Sequence, residues 1–144
     1  MTTPQTLTSS AVPTSKGWTI ALWVAQGLLA ALFLMAGLMK LTQPVDALAQ
    51  QLPWVTSVPE LLVRFIGLAE LAGALGLVLP AALRVQPRLT VLAALGLVAV
   101  MVLATLFHVT RGELSVVPMN VVIAAHAGFV AWGRTRKAPI APRA

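Results

Sequence analysis

Four stretches of the 144-residue chain are each apolar enough to cross a lipid bilayer, and together they leave little else. They run over residues 17–39, 61–83, 89–107 and about 115–133. A membrane-spanning α-helix needs about 20 predominantly apolar residues, and each stretch meets or nearly meets that length. The sequence therefore predicts an all-α membrane protein and restricts its function to processes within or across a membrane.

The composition argues against a soluble protein. Hydrophobic residues make up 58% of the chain and charged residues only 10%. A soluble protein with very apolar core helices is the alternative, but buried helices of soluble proteins rarely reach this length without a charged face. The chain has no cysteine. This excludes disulfides, thiol redox chemistry, and metal or iron–sulfur sites built on thiolates.

The positive charge is explained by its position in the chain. A net charge of +6 in a soluble protein would suggest nucleic acid as a partner. Most of the basic residues, however, flank the apolar stretches on one side of a four-span topology: Lys16, Arg84, Arg88, Arg134, Arg136, Lys137 and Arg143. An excess of Lys and Arg marks the cytoplasmic side. Both termini are therefore predicted to be cytoplasmic, and no nucleic-acid partner is expected.

The predicted organisation is one transmembrane domain between two tails. Residues 1–16 are predicted to be a disordered cytoplasmic tail, residues 17–134 the four-helix transmembrane domain, and residues 135–144 a basic cytoplasmic tail. The first apolar stretch is too long for a cleavable signal peptide, so we expect it to be retained as an anchor. The second and third connections are short, which favours antiparallel neighbours and an up-down four-helix bundle.

The longest connection, residues 41–59, has a pattern of its own. Pro44 can start a short helix with one apolar face, and Pro53 can end it. Trp54 can anchor such a helix at the outer membrane surface. An irregular loop is the alternative.

Glu70 is the leading candidate for a functional residue. It lies near the middle of the second stretch, where an ionisable side chain is costly and a function is the default hypothesis. Arg64 is six residues earlier, about 240° around the helix and about 9 Å along it, so the two side chains point in different directions. Glu70 is therefore predicted to contact another helix.

Several polar residues lie at a depth that could bring them to Glu70. They are predicted to form a pocket that opens to the outer face: Lys40, Arg64, His108 and Asn120 near the rim, with Glu70 and His126 beneath. Gln26 lies deeper in the first stretch. The alternative is structural, since polar contacts between helices can simply fix their register. A haem held by His126 and Met101 is a further alternative, although isolated His and Met residues in apolar helices mostly serve packing. No metal-binding motif is present.

Several segments resemble the DoxX-like family of small bacterial membrane proteins. They are residues 33–41 (FLMAGLMKL), residues 64–80 (RFIGLAELAGALGLVLP), Phe107-His108 with Arg111-Gly112-Glu113, and Asn120. The resemblance covers the chain from Trp18 to Arg134. It implies a four-span bundle in the bacterial inner membrane and makes Lys40, Glu70, His108 and Asn120 the positions of the family's polar pattern. His126 lies outside that pattern.

The resemblance also suggests what the pocket does. The family takes its name from a subunit linked to quinol-oxidase and thiosulfate–quinone oxidoreductase chemistry. The leading hypothesis is an accessory subunit that binds a quinone or another lipophilic small molecule, or supports a membrane redox partner. The possible protein partners are such a redox partner or further copies of the chain in a homo-oligomer. The alternatives are a proton-transfer enzyme of the isomerase type with Glu70 as its catalytic acid or base, a small-molecule transporter, and a scaffold.

Overall fold

A computed structural model describes residues 15–143, and every regular element in that range is helical. The long helices are α1 (Lys16–Thr42), α3 (Glu60–Leu83), α4 (Arg88–Thr110) and α5 (Val117–Arg136). A short helix α2 (Val45–Ala49) and a 3-10 helix (Pro53–Ser57) lie between α1 and α3. The all-α prediction is confirmed. Most of the predicted N-terminal tail lies outside the described residues, and Lys16 already belongs to α1.

The long helices form a ring. Helix α1 packs along α3, α3 along α4, α4 along α5, and α5 back along α1. Because short links join α3, α4 and α5, successive helices run antiparallel. Buried side chains from all four long helices meet in one core, which includes Leu29, Phe33, Leu77, Leu97 and Val130.

Three of the four long helices are long and apolar enough to cross a membrane, namely α1, α3 and α4. Helix α5 is less apolar than such a crossing helix, because its 20 residues include Asn120, His126, Arg134 and Arg136. The membrane character of the chain therefore rests on three helices, and the crossing by α5 remains a prediction.

The bundle has two chemically different ends. We call the end with the start of α1, the α3–α4 turn and the end of α5 the basic end. We call the opposite end, with residues 43–59 and the α4–α5 connection, the loop end. Helix α3 continues through Pro80 to Leu83. The ring of Pro80 removes one backbone donor from the last turns of α3 at the basic end.

The predicted short helix exists at the loop end, where α2 follows Pro44 and ends before Pro53. Its Leu48 is fully buried and packs with Val55 and Val63 in a small core of their own. The apolar face of α2 is therefore turned at least partly toward the protein, and this small core fixes residues 43–59 over the ends of α1 and α3.

Candidate functional site

A buried ion pair joins α1 to α3. The Lys40 Nζ donates to both carboxylate oxygens of Glu70, at 2.7 Å to Oε2 and 3.0 Å to Oε1. The two side chains are only 8% and 5% exposed. Both oxygens of the Glu70 carboxylate therefore accept hydrogen bonds from the neighbouring helix.

Two glycines allow this contact. A Cβ atom on Gly37 would lie 2.7 Å from the Gly67 carbonyl oxygen, and a Cβ atom on Gly67 would lie 2.8 Å from the Lys40 Cβ. Such distances are too short for side chains, so only glycine at both positions lets the backbones of α1 and α3 come this close. Lys40 follows Gly37 by one helical turn, and Glu70 follows Gly67 in the same way.

The Arg64 side chain forms hydrogen bonds with groups other than Glu70. Its guanidinium donates to the carbonyl oxygens of Lys40 and Gln43, the latter at 2.8 Å, and to Glu60 Oε1 at 2.7 Å. Carbonyls at the C-terminal end of a helix lack partners within the helix, and a basic side chain can satisfy them. Arg64 therefore closes the end of α1 at the depth of Lys40. Side chains in a helix lean toward its N-terminus, so the Lys40 side chain extends from there toward the middle of the bundle.

A cavity of about 870 Å³ lies beside the ion pair in the loop-end half of the bundle. Its polar lining includes Lys40, Glu70, His108 and Asn120, the four positions of the predicted family pattern, together with Glu113. The rest is mainly apolar and comes from residues 51–58 and from α3, α4 and α5; it includes Trp54, Leu62, Phe65, Ile66, Leu103, Phe107 and Met119. Phe65 and Leu103 are 65% and 66% exposed, so one wall of the cavity also faces the apolar outer surface of the bundle.

Residues before α3 and at the end of α4 meet at the loop end of the cavity. The rings of Trp54 and Phe107 pack edge to face with centroids 6.0 Å apart, and both residues line the cavity. The guanidinium of Arg111 lies 5.3 Å from the centroid of the Phe107 ring. These contacts connect residues 43–59 to the C-terminal end of α4 across the cavity.

His108 has a carboxylate partner that sequence reasoning did not include among the site residues. Its Nδ1 lies 2.6 Å from Glu113 Oε2, and Arg111 Nε donates to the other oxygen of Glu113 at 2.8 Å. The hydrogen bond from His108 is the largest influence on the pKa of Glu113 and, together with that from Arg111, holds it below its usual range. The sequence signal was the position of Glu113 just after Gly112, whose φ of +73° lets the chain turn back toward His108.

Asn120 supplies a hydrogen-bond donor to the cavity from the first turn of α5, two residues after Pro118. Proline is favoured at the start of a helix, which is consistent with α5 beginning here. The amide nitrogen Nδ2 of Asn120 is buried and has no hydrogen-bond partner among residues 15–143. A buried donor without a partner is unfavourable, so this nitrogen can recognise an acceptor on a bound molecule.

Three other polar residues considered from the sequence lie apart from the cavity. Arg64 and His126 are not among the residues that line it. Gln26 is fully buried at the basic end, where its Nε2 donates to the Leu77 carbonyl oxygen and its Oε1 accepts from Arg134 Nε at 2.5 Å. The structure thus brings together four of the six predicted site residues and leaves Arg64 and His126 elsewhere.

Among the comparisons with known proteins, the comparison with protein families gave a match. No curated protein and no solved structure matched the chain. The model of the DoxX-like family matches residues 24–130, a range that contains the ion pair, the His108–Glu113 contact and Asn120. The chain therefore belongs to the DoxX-like family.

Proposed function

We propose that this protein is a four-span integral membrane protein that binds a neutral lipophilic molecule carrying a carbonyl or hydroxyl group, such as a quinone. The observation that carries the proposal is the Asn120 Nδ2 donor, which is buried without a partner in a mainly apolar cavity. In this proposal α5 crosses the membrane with the other three helices. The basic end faces the cytoplasm of a bacterial cell, because Lys and Arg collect there.

The charges of the cavity support a neutral ligand. Lys40 is paired with Glu70, and Glu113 with Arg111, so each carboxylate that lines the cavity already has a cation. A charged ligand would have to displace one of these pairs, whereas a carbonyl oxygen needs only the Asn120 amide. Ligand sites of this kind are usually apolar with a few well-placed polar groups.

The position of the cavity supports a ligand that arrives from the bilayer. Phe65, Leu103 and Met119 line the cavity and are also largely exposed on the outer surface of the bundle. In a membrane these side chains contact lipid, so an apolar molecule can reach the cavity without entering water. An accessory subunit that holds a quinone for a membrane redox partner would use such a site.

Binding can be measured through Trp54. The other tryptophans, Trp18, Trp23 and Trp132, lie toward the basic end, and only Trp54 lines the cavity. We expect decylubiquinone to quench the fluorescence of the purified full chain saturably, and we expect Trp54→Phe to remove that signal. Mass spectrometry of molecules that copurify in mild detergent would identify the natural ligand.

A matched pair of variants tests the role of Asn120. We expect Asn120→Ala to weaken decylubiquinone binding about three- to tenfold, the usual effect of one neutral hydrogen bond. Val122→Ala changes a lipid-facing residue of the same helix that is 63% exposed, and it should bind like the unmodified protein. Equal binding by both variants, or quenching that does not saturate, would contradict the proposal.

Proton transfer on an apolar substrate is the second function that we propose, and the His108–Glu113 contact supports it. A histidine oriented by a carboxylate is a common acid–base group. His108 suits this role better than Glu70, because both oxygens of Glu70 accept hydrogen bonds from Lys40. Deuterium incorporation from D2O into an unsaturated ketone, catalysed without added cofactor and lost in His108→Phe, would support this function. Incorporation at the uncatalysed rate would exclude that ketone as a substrate.

A further inference from the structure

The basic end carries positive charge without any acidic residue. The four acidic residues of the chain are Asp46, Glu60, Glu70 and Glu113, and each lies at the loop end or in the middle of the bundle. The basic end holds seven of the ten Lys and Arg residues: Lys16, Arg84, Arg88, Arg134, Arg136, Lys137 and Arg143. No acidic side chain therefore lies there to neutralise a buried cation.

Arg134 is such a buried cation. The residue is only 5% exposed, although it lies in the last turn of α5. Its Nε donates to Gln26 Oε1 at 2.5 Å, and its Nη1 donates to the Ala138 carbonyl oxygen at 3.3 Å. Both acceptors are neutral. Its Nη2 is buried and has no hydrogen-bond partner among residues 15–143. Within the described range no carboxylate pairs with this guanidinium, and a buried charge without a counterion is strongly unfavourable.

The basic end has other features that are suited to an anion. The Trp23 ring lies on one side of the Arg134 guanidinium, with its centroid 5.1 Å from Cζ. Helix α4 begins at the same end, and the N-terminus of a helix attracts negative charge. Thr90, in the first turn of α4, has a buried hydroxyl that likewise has no partner among the described residues. The basic end thus offers unused buried donors on two adjacent helices.

The segment after α5 covers this position through neutral contacts. The Ala138 carbonyl accepts from Arg134, and the Arg143 amide donates to the Arg84 carbonyl oxygen at 2.9 Å. A phosphate oxygen accepts stronger, charge-assisted hydrogen bonds than a backbone carbonyl, and the planar guanidinium can bind two such oxygens at once. An anion can therefore replace the Ala138 carbonyl on Arg134.

We infer that Arg134 is the recognition group of an anion site at the basic end, separate from the cavity, and that this site takes a phosphate group. The phosphate belongs either to the headgroup of an anionic phospholipid or to a free phosphate ion. The surrounding arginines and lysines attract either one, and Arg134 holds it in place through Nη1 and Nη2.

The test compares two arginines that differ in burial. Arg134→Gln and Arg136→Gln each remove one positive charge. The two residues are two positions apart, and Arg136 is exposed. Retention of phosphatidylglycerol by the purified full chain is measured by native mass spectrometry, with phosphatidylcholine as the neutral control lipid. We expect Arg134→Gln to lower the affinity for phosphatidylglycerol about ten- to a hundredfold, the usual effect of losing hydrogen bonds to a charged group. Arg136→Gln should change it less than about threefold.

A third variant covers the case in which Arg134→Gln does not fold. Arg134→Lys keeps the positive charge but cannot form the bidentate hydrogen bonds of a guanidinium. We therefore expect this variant to fold and still to lose most of the phosphatidylglycerol affinity. Thermal stabilisation by sodium phosphate, with sodium chloride at equal ionic strength as the control, distinguishes the sources. Stabilisation by phosphate indicates a free ion, and an effect of phosphatidylglycerol alone indicates a lipid headgroup. The inference would be overturned if Arg134→Lys kept both wild-type retention of phosphatidylglycerol and wild-type stabilisation by phosphate, or if the Arg134 and Arg136 variants lost equally in both measurements.

Discussion

Lys40 and Glu70 are 30 positions apart in the chain, and each lies one helical turn after a glycine of the contacting pair Gly37 and Gly67. The glycine contact brings the two backbones together, and the ion pair forms next to it. The closeness of α1 and α3 and the pairing of their charges therefore depend on the same two positions. A substitution in the glycine pair should therefore disturb the ion pair, and a substitution in the ion pair should disturb the glycine contact.

The first prediction concerns the glycine contact. In Gly67→Ala the new Cβ would lie 2.8 Å from the Lys40 Cβ and 3.0 Å from the Gly37 carbonyl oxygen, so the helices must separate. Overpacking of this kind usually costs about 1–3 kcal/mol, and we expect that loss when the protein is unfolded by SDS in mixed micelles. Gly27→Ala is the control, because nothing lies within 4 Å of its Cβ position. Equal stability of the two variants would contradict this explanation of the contact.

The second prediction is that the charges of Lys40 and Glu70 are energetically coupled. Removing one partner of a buried ion pair leaves an uncompensated charge and typically costs about 3–5 kcal/mol, whereas replacing both partners by apolar groups costs much less. We expect Lys40→Met and Glu70→Leu each to be strongly destabilised and the double variant to be more stable than either. A double-mutant cycle in mixed micelles measures the coupling. Additive losses would show that the two charges act independently.

The third prediction concerns acid pH. Because the folded-state pKa of Glu113 is lowered by hydrogen bonds from His108 and Arg111, its charged form stabilises the fold. That contribution is complete above the unfolded-state pKa of about 4.3 and disappears as the pH falls through the lower folded-state pKa. We therefore expect Glu113→Gln to melt at a lower temperature than the unmodified protein at pH 7, and we expect this difference to shrink progressively as the pH falls below about 4. A difference in melting temperature that widens as the pH falls would contradict this prediction.

Much of the fold could be predicted from the sequence, because apolar length is enough to locate a helix in lipid. The partner of Glu70 could not be chosen in this way. Depth alone left Lys40, Gln26, His108, Asn120 and His126 as candidates, and hydropathy does not fix how such apolar helices are rotated. Glu113 was not included as a site residue because it lies beyond the end of an apolar stretch, and its role depends on a turn.

Arg134 shows a different limit of sequence reasoning. In the sequence it is one of several basic residues after the last apolar stretch, a position typical of a solvated flank. The structure places it in the last turn of α5 and buries it against Gln26, which lies 108 positions away in the chain. Such a contact depends on how α1 and α5 meet, and the two residues carry no pattern that connects them.

The fourth prediction distinguishes the two histidines. His108 lines the cavity, whereas His126 is not among its lining residues. We expect His108→Leu to weaken decylubiquinone binding several-fold, because it removes a polar group from the cavity and leaves Glu113 without one of its partners. His126→Leu should bind within about twofold of the unmodified protein in the Trp54 quenching assay. A larger loss in His126→Leu would place the ligand deeper in the bundle than the cavity.

The fifth prediction decides whether α5 crosses the membrane. The chain has no cysteine, so a single introduced cysteine can be labelled without background. Ser57→Cys and Ser115→Cys lie at the loop end, and Val85→Cys and Pro139→Cys lie at the basic end, all at exposed positions. If all four long helices cross, a membrane-impermeant maleimide added to intact cells labels the first two and reaches the last two only after permeabilisation. Because α5 is the least apolar of the long helices, Pro139→Cys is the decisive position. Its labelling from the same side as Ser115→Cys would mean three crossings, with α5 lying against the bundle on the outer side.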